Sequence, residues 1–260
     1  MQRRFSAFAA LLTLACGGTT GGEIVEFQAA ASGPADAAEG QPLSFENSKG
    51  WQVNLTTARL HIGALYFVDS SAVSGAQSSN CLLPGSYVAQ VRQGLDVDLL
   101  SGEPQLFPGL GRGTTTEALA GQVWLTGGDV NLVDDPPRPT VILQLSGSAT
   151  QGADVRPFDA ALTIAGNRIS SGSGTAGAST ICKQRIVSRT ISLFIRNQGA
   201  LLLRIDPRRL FTNVDFSALE ADGNRYSFKD DSSDQPSANL YNNLTQGGDL
   251  YSFSWQPTLD

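Results

Sequence analysis

The sequence predicts an all-β protein: a single antiparallel β-sandwich or jelly-roll-like domain over residues 42–260, behind an N-terminal flexible tether. Three observations favour this fold. Short runs of alternating apolar and polar residues recur along the chain, and this alternation is typical of half-buried strands. Turn residues separate the runs at intervals of roughly 8–12 residues, as in sandwiches and barrels. Helical periodicity is scarce, and no internal repeat indicates a propeller or a solenoid.

The first fifteen residues are predicted to be a signal peptide. Arg3 and Arg4 form a basic start, and Phe5 to Leu14 is an apolar run much shorter than the roughly 20 residues that cross a bilayer. Small residues then precede Cys16. This arrangement resembles the signal peptide of a bacterial lipoprotein, which implies cleavage before Cys16 and attachment of lipid to its thiol.

Lipidation of Cys16 would anchor the mature protein to a membrane without spanning it. The leader departs from the lipoprotein pattern at Thr13, where an aliphatic residue is usual. The alternatives are an ordinary secretory signal cut near Ala15 and a short membrane span. Gly17 stands where inner-membrane lipoproteins carry Asp, so the resemblance implies the outer membrane, on its periplasmic or its surface face.

Residues 16–41 are predicted to be the lipidated cysteine and a flexible linker. They are rich in Gly, Ala, Ser and Thr, and they offer little apolar surface to offset the entropy lost on ordering. The island Glu23–Phe27 is the exception and is a candidate edge strand.

The charge of the chain argues against nucleic acid as a partner. Lys and Arg number 18 against 24 for Asp and Glu, so the formal net charge is −6 at pH 7. Binding to phosphates needs clustered positive charge. The densest basic group, Lys183 and Arg185 with Arg189, lies in strand-like sequence and is interpreted as a solvated face.

Cys81 and Cys182 are predicted to form a disulfide. The chain has three cysteines, and these two remain once Cys16 carries lipid. Two cysteines in an oxidising compartment usually form a disulfide. The bond would join the two halves of the chain. Free buried thiols are one alternative, and metal or redox use is another, although neither cysteine has a second Cys or a His at ligand spacing.

The strands are predicted in order from the alternation. Trp51, Val53 and Leu55 alternate with polar residues. After Thr56–Thr57 the apolar residues fall at even instead of odd positions, which predicts a bulge. Further strands are predicted at Leu60–Tyr66, Leu95–Leu100, Gln122–Thr126, Asp129–Val133, Phe158–Ile164, from Arg168, Ile191–Ile195, Leu201–Ile205 and Tyr251–Trp255.

The connections and helices are predicted from the residues between the strands. Gly127–Gly128 predicts a tight hairpin. The glycine-rich segment Leu106–Thr116 is interpreted as a mobile connection. Helix should be confined to one or two turns, around Ser217–Ala221 or Gln235–Tyr241.

Few residues qualify for catalysis. His61 is the sole histidine, and it lies in an apolar run with no nucleophile-elbow sequence anywhere in the chain. We expect its ring to face away from Leu60 and Ile62, capped by hydrogen bonds or half exposed. One histidine also excludes a multi-histidine zinc or copper site.

Asp96 and Asp98 are the candidate pair of catalytic carboxylates. They share one face of a predicted strand, and positions two apart on a strand are about 7 Å apart, a separation compatible with a glycosidase acid and base. The simpler interpretation is the solvated face of a half-buried strand.

Two oxygen-rich loops are candidate calcium sites, because carboxylate and amide oxygens are the ligands that calcium prefers. Neither has EF-hand spacing, and an ordinary solvated turn is the alternative. The candidate ligands are Asp129, Asn131, Asp134 and Asp135 in one loop, and Asp230, Asp231, Ser232 and Asp234 in the other.

Two stretches carry a resemblance to known proteins. They are Gly50–Phe67, and Arg204–Phe211 with Val214–Phe216. They resemble patterns in uncharacterised secreted bacterial lipoproteins and in the MbnP-like periplasmic proteins, a family associated with copper. The matching residues are mostly aromatic and aliphatic, and without a set of histidines or methionines the resemblance implies no copper ligands here.

Together these features predict a lipid-anchored binding or accessory module of the bacterial cell envelope without catalytic activity. Its expected partners are the membrane, through the lipid, and an envelope protein, a glycan or a metal ion. The alternative is a carboxylate-based envelope hydrolase that uses Asp96 and Asp98.

Overall fold

The computed structural model describes residues 22–70, 86–125, 141–164, 186–246 and 249–259. Two large sheets account for most of them, so the all-β prediction is confirmed. The strands are β1 (Ile24–Ser32), β2 (Leu43–Glu46), β3 (Gln52–Ile62), β4 (Ala64–Val68), β5 (Tyr87–Val91), β6 (Leu95–Asp98), β7 (Gln105–Leu106), β8 (Gly111–Thr114), β9 (Glu117–Trp124), β10 (Val141–Gln151), β11 (Asp154–Thr163), β12 (Ile186–Phe194), β13 (Ala200–Ile205), β14 (Ala221–Asp222), β15 (Arg225–Phe228) and β16 (Tyr251–Gln256).

Helix is limited, in these residues, to the α-helix α1 (Gln235–Gln246) and two 3₁₀ segments, Pro207–Phe211 and Phe216–Ala218. The predicted turn of helix near residue 217 is confirmed as a 3₁₀ segment. The expected limit of two turns is wrong for α1, which has 12 residues. None of the described helices is both long and apolar enough to cross a membrane.

The larger sheet, which we call the curled sheet, has the strand order β12-β9-β4-β5-β8-β1-β13-β16, with β7 also paired to β1. Its two ends approach each other. Phe253 of β16 packs against Phe67 of β4, with ring centroids 5.3 Å apart, and a Cβ on Gly121 of β9 would lie 2.7 Å from the Phe253 ring. Because β16 and β9 lie near opposite ends of the strand order, these contacts close the sheet into a near-barrel.

The second sheet has the order β14-β15-β11-β10-β3-β2, with β6 paired to β3. Within this sheet, the pairing of β3 with β10 shifts register at Thr56, because Gly147 pairs Leu55 while Ser146 pairs Thr57. The predicted bulge is therefore confirmed. The chain passes from this sheet to the curled sheet at Gly63, between β3 and β4.

Two strand pairs are parallel, contrary to the antiparallel prediction. β1 pairs β13 in parallel, and β11 pairs β15 in parallel. Each pair joins segments far apart in the sequence, so tertiary packing rather than a local turn sets the direction.

The linker predicted for residues 16–41 is wrong over residues 24–32, which form β1. This strand lies inside the curled sheet between β8 and β13, so it is not the edge strand expected at Glu23–Phe27. Ala29, Ala30 and Ala31 are at most 1% exposed. Backbone hydrogen bonds to the neighbouring strands hold this segment in place, so it needs no large apolar side chains. The folded domain therefore begins well before residue 42.

The core beneath the second sheet contains an aromatic cluster, defined as Phe45, Trp51, Phe158, Phe211, Phe216 and Phe228. Ring centroids of its neighbouring members are 5.1–6.3 Å apart. Leu240, Tyr241 and Leu244 of α1 are buried in the same continuous core. The two 3₁₀ segments thus connect α1 to the second sheet through packed rings.

An ion pair ties the residues after β1 to a 3₁₀ segment. Arg208 donates from Nη1 to Asp36 Oδ2 at 2.8 Å and from Nη2 to Asp36 Oδ1 at 3.0 Å. These hydrogen bonds hold the pKa of Asp36 below its ordinary value. The pair therefore stabilises the fold above the pKa of the unfolded chain, near 4, and this contribution is lost as the pH falls through the folded pKa.

We expect Asp36→Asn to lower the free energy of unfolding by less than about 1 kcal/mol at neutral pH, because the Asp36 side chain is 64% exposed and exposed pairs contribute little. Denaturant unfolding from about pH 6 down to about pH 2 measures this. The wild-type and variant curves should converge at the acidic end. A difference that is constant with pH would contradict an ionic origin.

Candidate binding groove

An open groove follows the line where the two end strands of the curled sheet meet. β12 lies beside β16, with Cα atoms within 8 Å, and the groove has a volume of ≈ 340 Å³. Its lining residues are Arg189, Thr190, Ile191, Ser192, Asp249, Tyr251, Ser252 and Phe253.

The β16 side of the groove rests on two aromatic side chains, Tyr251, which is buried, and Phe253, which is partly buried. The Phe253 ring packs into the near-barrel, as described above. The hydroxyl of Tyr251 donates to the Leu244 carbonyl of α1 at 3.2 Å, and burial raises the pKa of Tyr251 far above its ordinary value. This hydroxyl is therefore protonated at neutral pH and is a structural hydrogen-bond donor.

The β12 side of the groove contains an irregularity. The pairing of β12 with β9 shifts register between Thr190 and Leu193, so Ile191 and Ser192 bulge out of the ladder. Ser192 Oγ donates to Glu117 Oε1 at 2.7 Å, which holds the bulge in place. Bulges often redirect side chains at binding sites.

The groove combines features that suit a polar, extended ligand. Arg189 and Asp249 bring one charge of each sign, and Thr190 and Ser252 bring exposed hydroxyls. β12 and β16 stand at the two ends of the strand order, so each presents one edge without a strand partner among the described residues. Free strand edges offer backbone N–H and C=O groups for hydrogen bonding.

His61 lies on β3 with its side chain 32% exposed, and its Nδ1 is 2.6 Å from Asp96 Oδ1. The prediction of a half-exposed, hydrogen-bonded histidine is confirmed. The two residues are brought together because His61 pairs directly with Asp96 of β6. The Asp96 side chain is 82% exposed, so the pair stands on an open sheet face and is not enclosed in a cleft.

Asp98 has a different environment from Asp96. Its Oδ1 accepts from the Leu100 backbone N–H at 3.0 Å, and its own N–H donates to Gln105 Oε1 at 2.8 Å. Asp98 therefore holds the turn after β6. The two carboxylates lie on one strand face, as expected, yet each is engaged by a different neighbour.

The calcium candidates after β15 have local structural partners. Asp230 accepts from the Thr163 N–H at 2.7 Å and its hydroxyl at 2.6 Å, and Asp234 accepts from Ser237 N–H at the start of α1 at 2.8 Å. Asp231 accepts from Ser233 N–H at 2.9 Å, and its hydrogen bonds with Ser233 lower its pKa. No group of three or more His, Cys, Asp or Glu side chains able to hold a metal occurs in the described part of the chain.

Several predicted residues lie outside the described residues. They are Cys16, Cys81, Cys182, Lys183, Arg185, Asp129, Asn131, Asp134 and Asp135, together with the Gly127–Gly128 hairpin and the strands expected at Asp129–Val133 and from Arg168. Lipidation, the disulfide, the hairpin and the first calcium loop stay predictions.

The groove itself was not predicted from the sequence. The sequence indicates only a solvated face for Arg189, and nothing in the local pattern indicates that β12 and β16 meet. The bulge at Ile191 and Ser192 gives no local signal either, because the alternation of Ile191, Leu193 and Ile195 shows no sign of the extra residue.

The described geometry is that of a two-sheet, all-β protein with an open groove at a sheet seam. No family model matches the chain, and no curated protein matches it either. Among solved structures it is similar to MbnP from Methylosinus trichosporium, with a TM-score of 0.43 and 12% sequence identity over 90% of this chain and 98% of that chain.

Proposed function

We propose that this chain is a non-catalytic binding module of the bacterial cell envelope, anchored through lipidated Cys16, whose seam groove binds an extended segment of an envelope protein or a short glycan. The observation that carries this proposal is the groove between β12 and β16, whose facing edges have no strand partner in the described part of the chain.

The chemistry of the groove supports binding rather than reaction. An extended ligand can hydrogen-bond to an open strand edge along its length, while pockets for alternate side chains give selectivity. Arg189 and Asp249 then fix the direction of a ligand that carries charge. The Tyr251 hydroxyl is occupied by Leu244, so the groove's phenol is not a free proton donor.

A crosslinking experiment in intact cells tests the groove. A photoreactive amino acid at Ser252 should give a discrete adduct, and Thr190→Arg in the same chain should abolish it by blocking the groove with a large charged side chain. The matched control places the photoreactive residue at Ala161, an exposed position on β11 of the second sheet. Equal adducts at both positions, or persistence with Thr190→Arg, would contradict the proposal.

The same experiment distinguishes binding at the groove from the alternative function, a carboxylate-based hydrolase. His61→Ala and Asp96→Asn alter the exposed pair on β3 and β6 and lie outside the groove lining. We expect both variants to retain the Ser252 adduct at the wild-type level. Loss of the adduct in folded His61→Ala protein would move the functional site to the second sheet.

A further inference from the structure

The start of β1 and the end of β16, the first and last described strands, lie at the same end of the curled sheet. We call it the N-terminal rim and define it by the strand ends Ile24, Val68, Tyr87, Thr114, Glu117, Phe194, Ala200 and Gln256. The registers place these ends together in pairs, since Ile24 pairs Thr114, Val68 pairs Tyr87, Glu117 pairs Phe194 and Ala200 pairs Gln256. Neighbouring pairs are staggered along the strands, because Val68 pairs Ala120 and Gln28 pairs Ala200. Each of the eight strands on the sheet's main path contributes one end to this rim.

Three large apolar side chains are exposed at the N-terminal rim. Ile24 is 81% exposed, Phe194 is 53% exposed and Tyr87 is 39% exposed. They lie on β1, β12 and β5, which are spread over five steps of the strand order. At about 4.8 Å per strand, the three side chains span an arc of roughly 24 Å. The three side chains form no continuous patch, but they lie along the same end of the sheet, where one flat surface can contact all of them.

Only a few residues of sequence separate the predicted lipid attachment point from this rim. Glu23 N–H donates to Thr115 Oγ1 at 2.8 Å, and Thr115 N–H donates to the Glu23 carbonyl at 2.8 Å, so the chain is fixed to the rim from residue 23 onward. Cys16 precedes Gly22 by six residues. Even a fully extended chain would keep the Cα atoms of these two residues within about 20 Å of each other.

We infer that the N-terminal rim lies against the surface of the phospholipid bilayer that holds acylated Cys16, with Ile24, Tyr87 and Phe194 at the level of the lipid headgroups. This inference rests on the proposed lipid anchor. A short attachment keeps the rim at the membrane, and aromatic and aliphatic side chains are favoured at that interface.

The charges at the rim identify the kind of contact. Glu23 and Glu117 are acidic, and Arg196, next to the end of β12, is basic. The described residues of the rim therefore carry no excess of positive charge to attract anionic lipid. Its contact with the bilayer depends on the apolar side chains, and zwitterionic phospholipid is sufficient.

Photolabelling of the full lipidated protein tests this orientation. The protein is reconstituted into vesicles of phosphatidylethanolamine and phosphatidylcholine in which a fraction of the acyl chains carries a diazirine, and labelled residues are mapped by mass spectrometry. Label is expected at Ile24, Tyr87 and Phe194. It is not expected at Val141 and Val155, which are 48% and 58% exposed on the second sheet.

Matched double variants sharpen the test. Ile24→Ser with Phe194→Ser should cause loss of label at Tyr87, because the rim no longer holds to the bilayer. Val141→Ser with Val155→Ser should leave that label unchanged. All four side chains are exposed, so both proteins should fold, and thermal melting verifies this.

The outcomes separate the two proposals. Acylated Cys16 with label absent from the rim, or equal at Val155 and the rim, would overturn the rim orientation alone. An unmodified Cys16 in the mass spectrum, together with a Cys16→Ser protein that still fractionates with membranes, would overturn the anchor and the orientation together.

Discussion

Replacement of Phe211 by alanine should lower the free energy of unfolding by about 3–5 kcal/mol, the usual cost of truncating a buried phenylalanine. Phe211 is fully buried. Its ring stacks on Phe216 at 5.8 Å and 15° and lies 5.6 Å from Phe158 and 5.7 Å from Phe45. Because its packed neighbours belong to two sheet strands and a second 3₁₀ segment, they cannot move together to fill the space.

Denaturant unfolding of the mature chain measures this effect, and the midpoint of thermal unfolding should fall by roughly 10 °C for a domain of this size. Phe194→Ala is the matched control, since it removes the same atoms from a ring that is 53% exposed. It should change stability by less than about 0.5 kcal/mol. Similar losses for the two variants would show that the aromatic cluster does not hold the fold.

The effect of Phe211→Ala should extend to the groove. Phe211 ends the 3₁₀ segment whose Leu210 carbonyl accepts from Asn243 of α1 at 2.9 Å. The next residue of α1, Leu244, accepts the Tyr251 hydroxyl at the groove. A loosened cluster therefore loosens the helix that supports β16, and the Ser252 adduct should weaken in proportion to the population that is locally unfolded.

The strands that could be predicted from the sequence are those with one buried and one solvated face. In β3, Val53 and Leu55 are buried before the bulge at Thr56, and Ala58, Leu60 and Ile62 are buried after it, while the other residues are exposed or half-buried. Burial of one face imposes a period of two on the sequence. That period is readable without any knowledge of the partner strands.

Strands made of small residues could not be predicted in this way. β8 lies in the glycine-rich segment interpreted as a mobile connection, and that interpretation is wrong over Gly111–Thr114. A Cβ on Gly111 would lie 2.3 Å from the Phe27 ring, and one on Gly113 would lie 2.6 Å from Ala89. Glycine is required here by close packing inside the near-barrel, and that requirement arises only after distant strands have assembled.

In the candidate site, too, some features follow from the local sequence and others only from the assembly of distant strands. The half-exposed setting of His61 follows from the local alternation, whereas its partner Asp96 depends on the register between β3 and β6. The seam groove depends on closure of the whole curled sheet, because its two sides are the ends of an eight-strand path. Such a site has no local sequence signature.

Asn47→Asp should also destabilise the fold strongly, by about 3–5 kcal/mol at neutral pH, the range for an uncompensated buried charge. Asn47 is 8% exposed. Its Nδ2 donates to the Val214 carbonyl at 2.8 Å and the Phe211 carbonyl at 3.4 Å, while its Oδ1 accepts from Trp51 N–H at 3.0 Å and Lys49 N–H at 2.9 Å. The variant places a carboxylate oxygen against two carbonyl oxygens.

The dependence on pH distinguishes repulsion from simple loss of hydrogen bonds. The carbonyl oxygens should raise the pKa of the new carboxyl in the folded state, so the deficit is largest above that pKa and shrinks as the pH falls and the protonated group donates again. Asn47→Ala is the control, with an expected loss of about 1–3 kcal/mol that does not vary with pH. Equal, pH-independent losses in the two variants, measured by denaturant unfolding, would show that loss of the Nδ2 hydrogen bonds to Val214 and Phe211, and not repulsion of the carboxylate, causes the deficit.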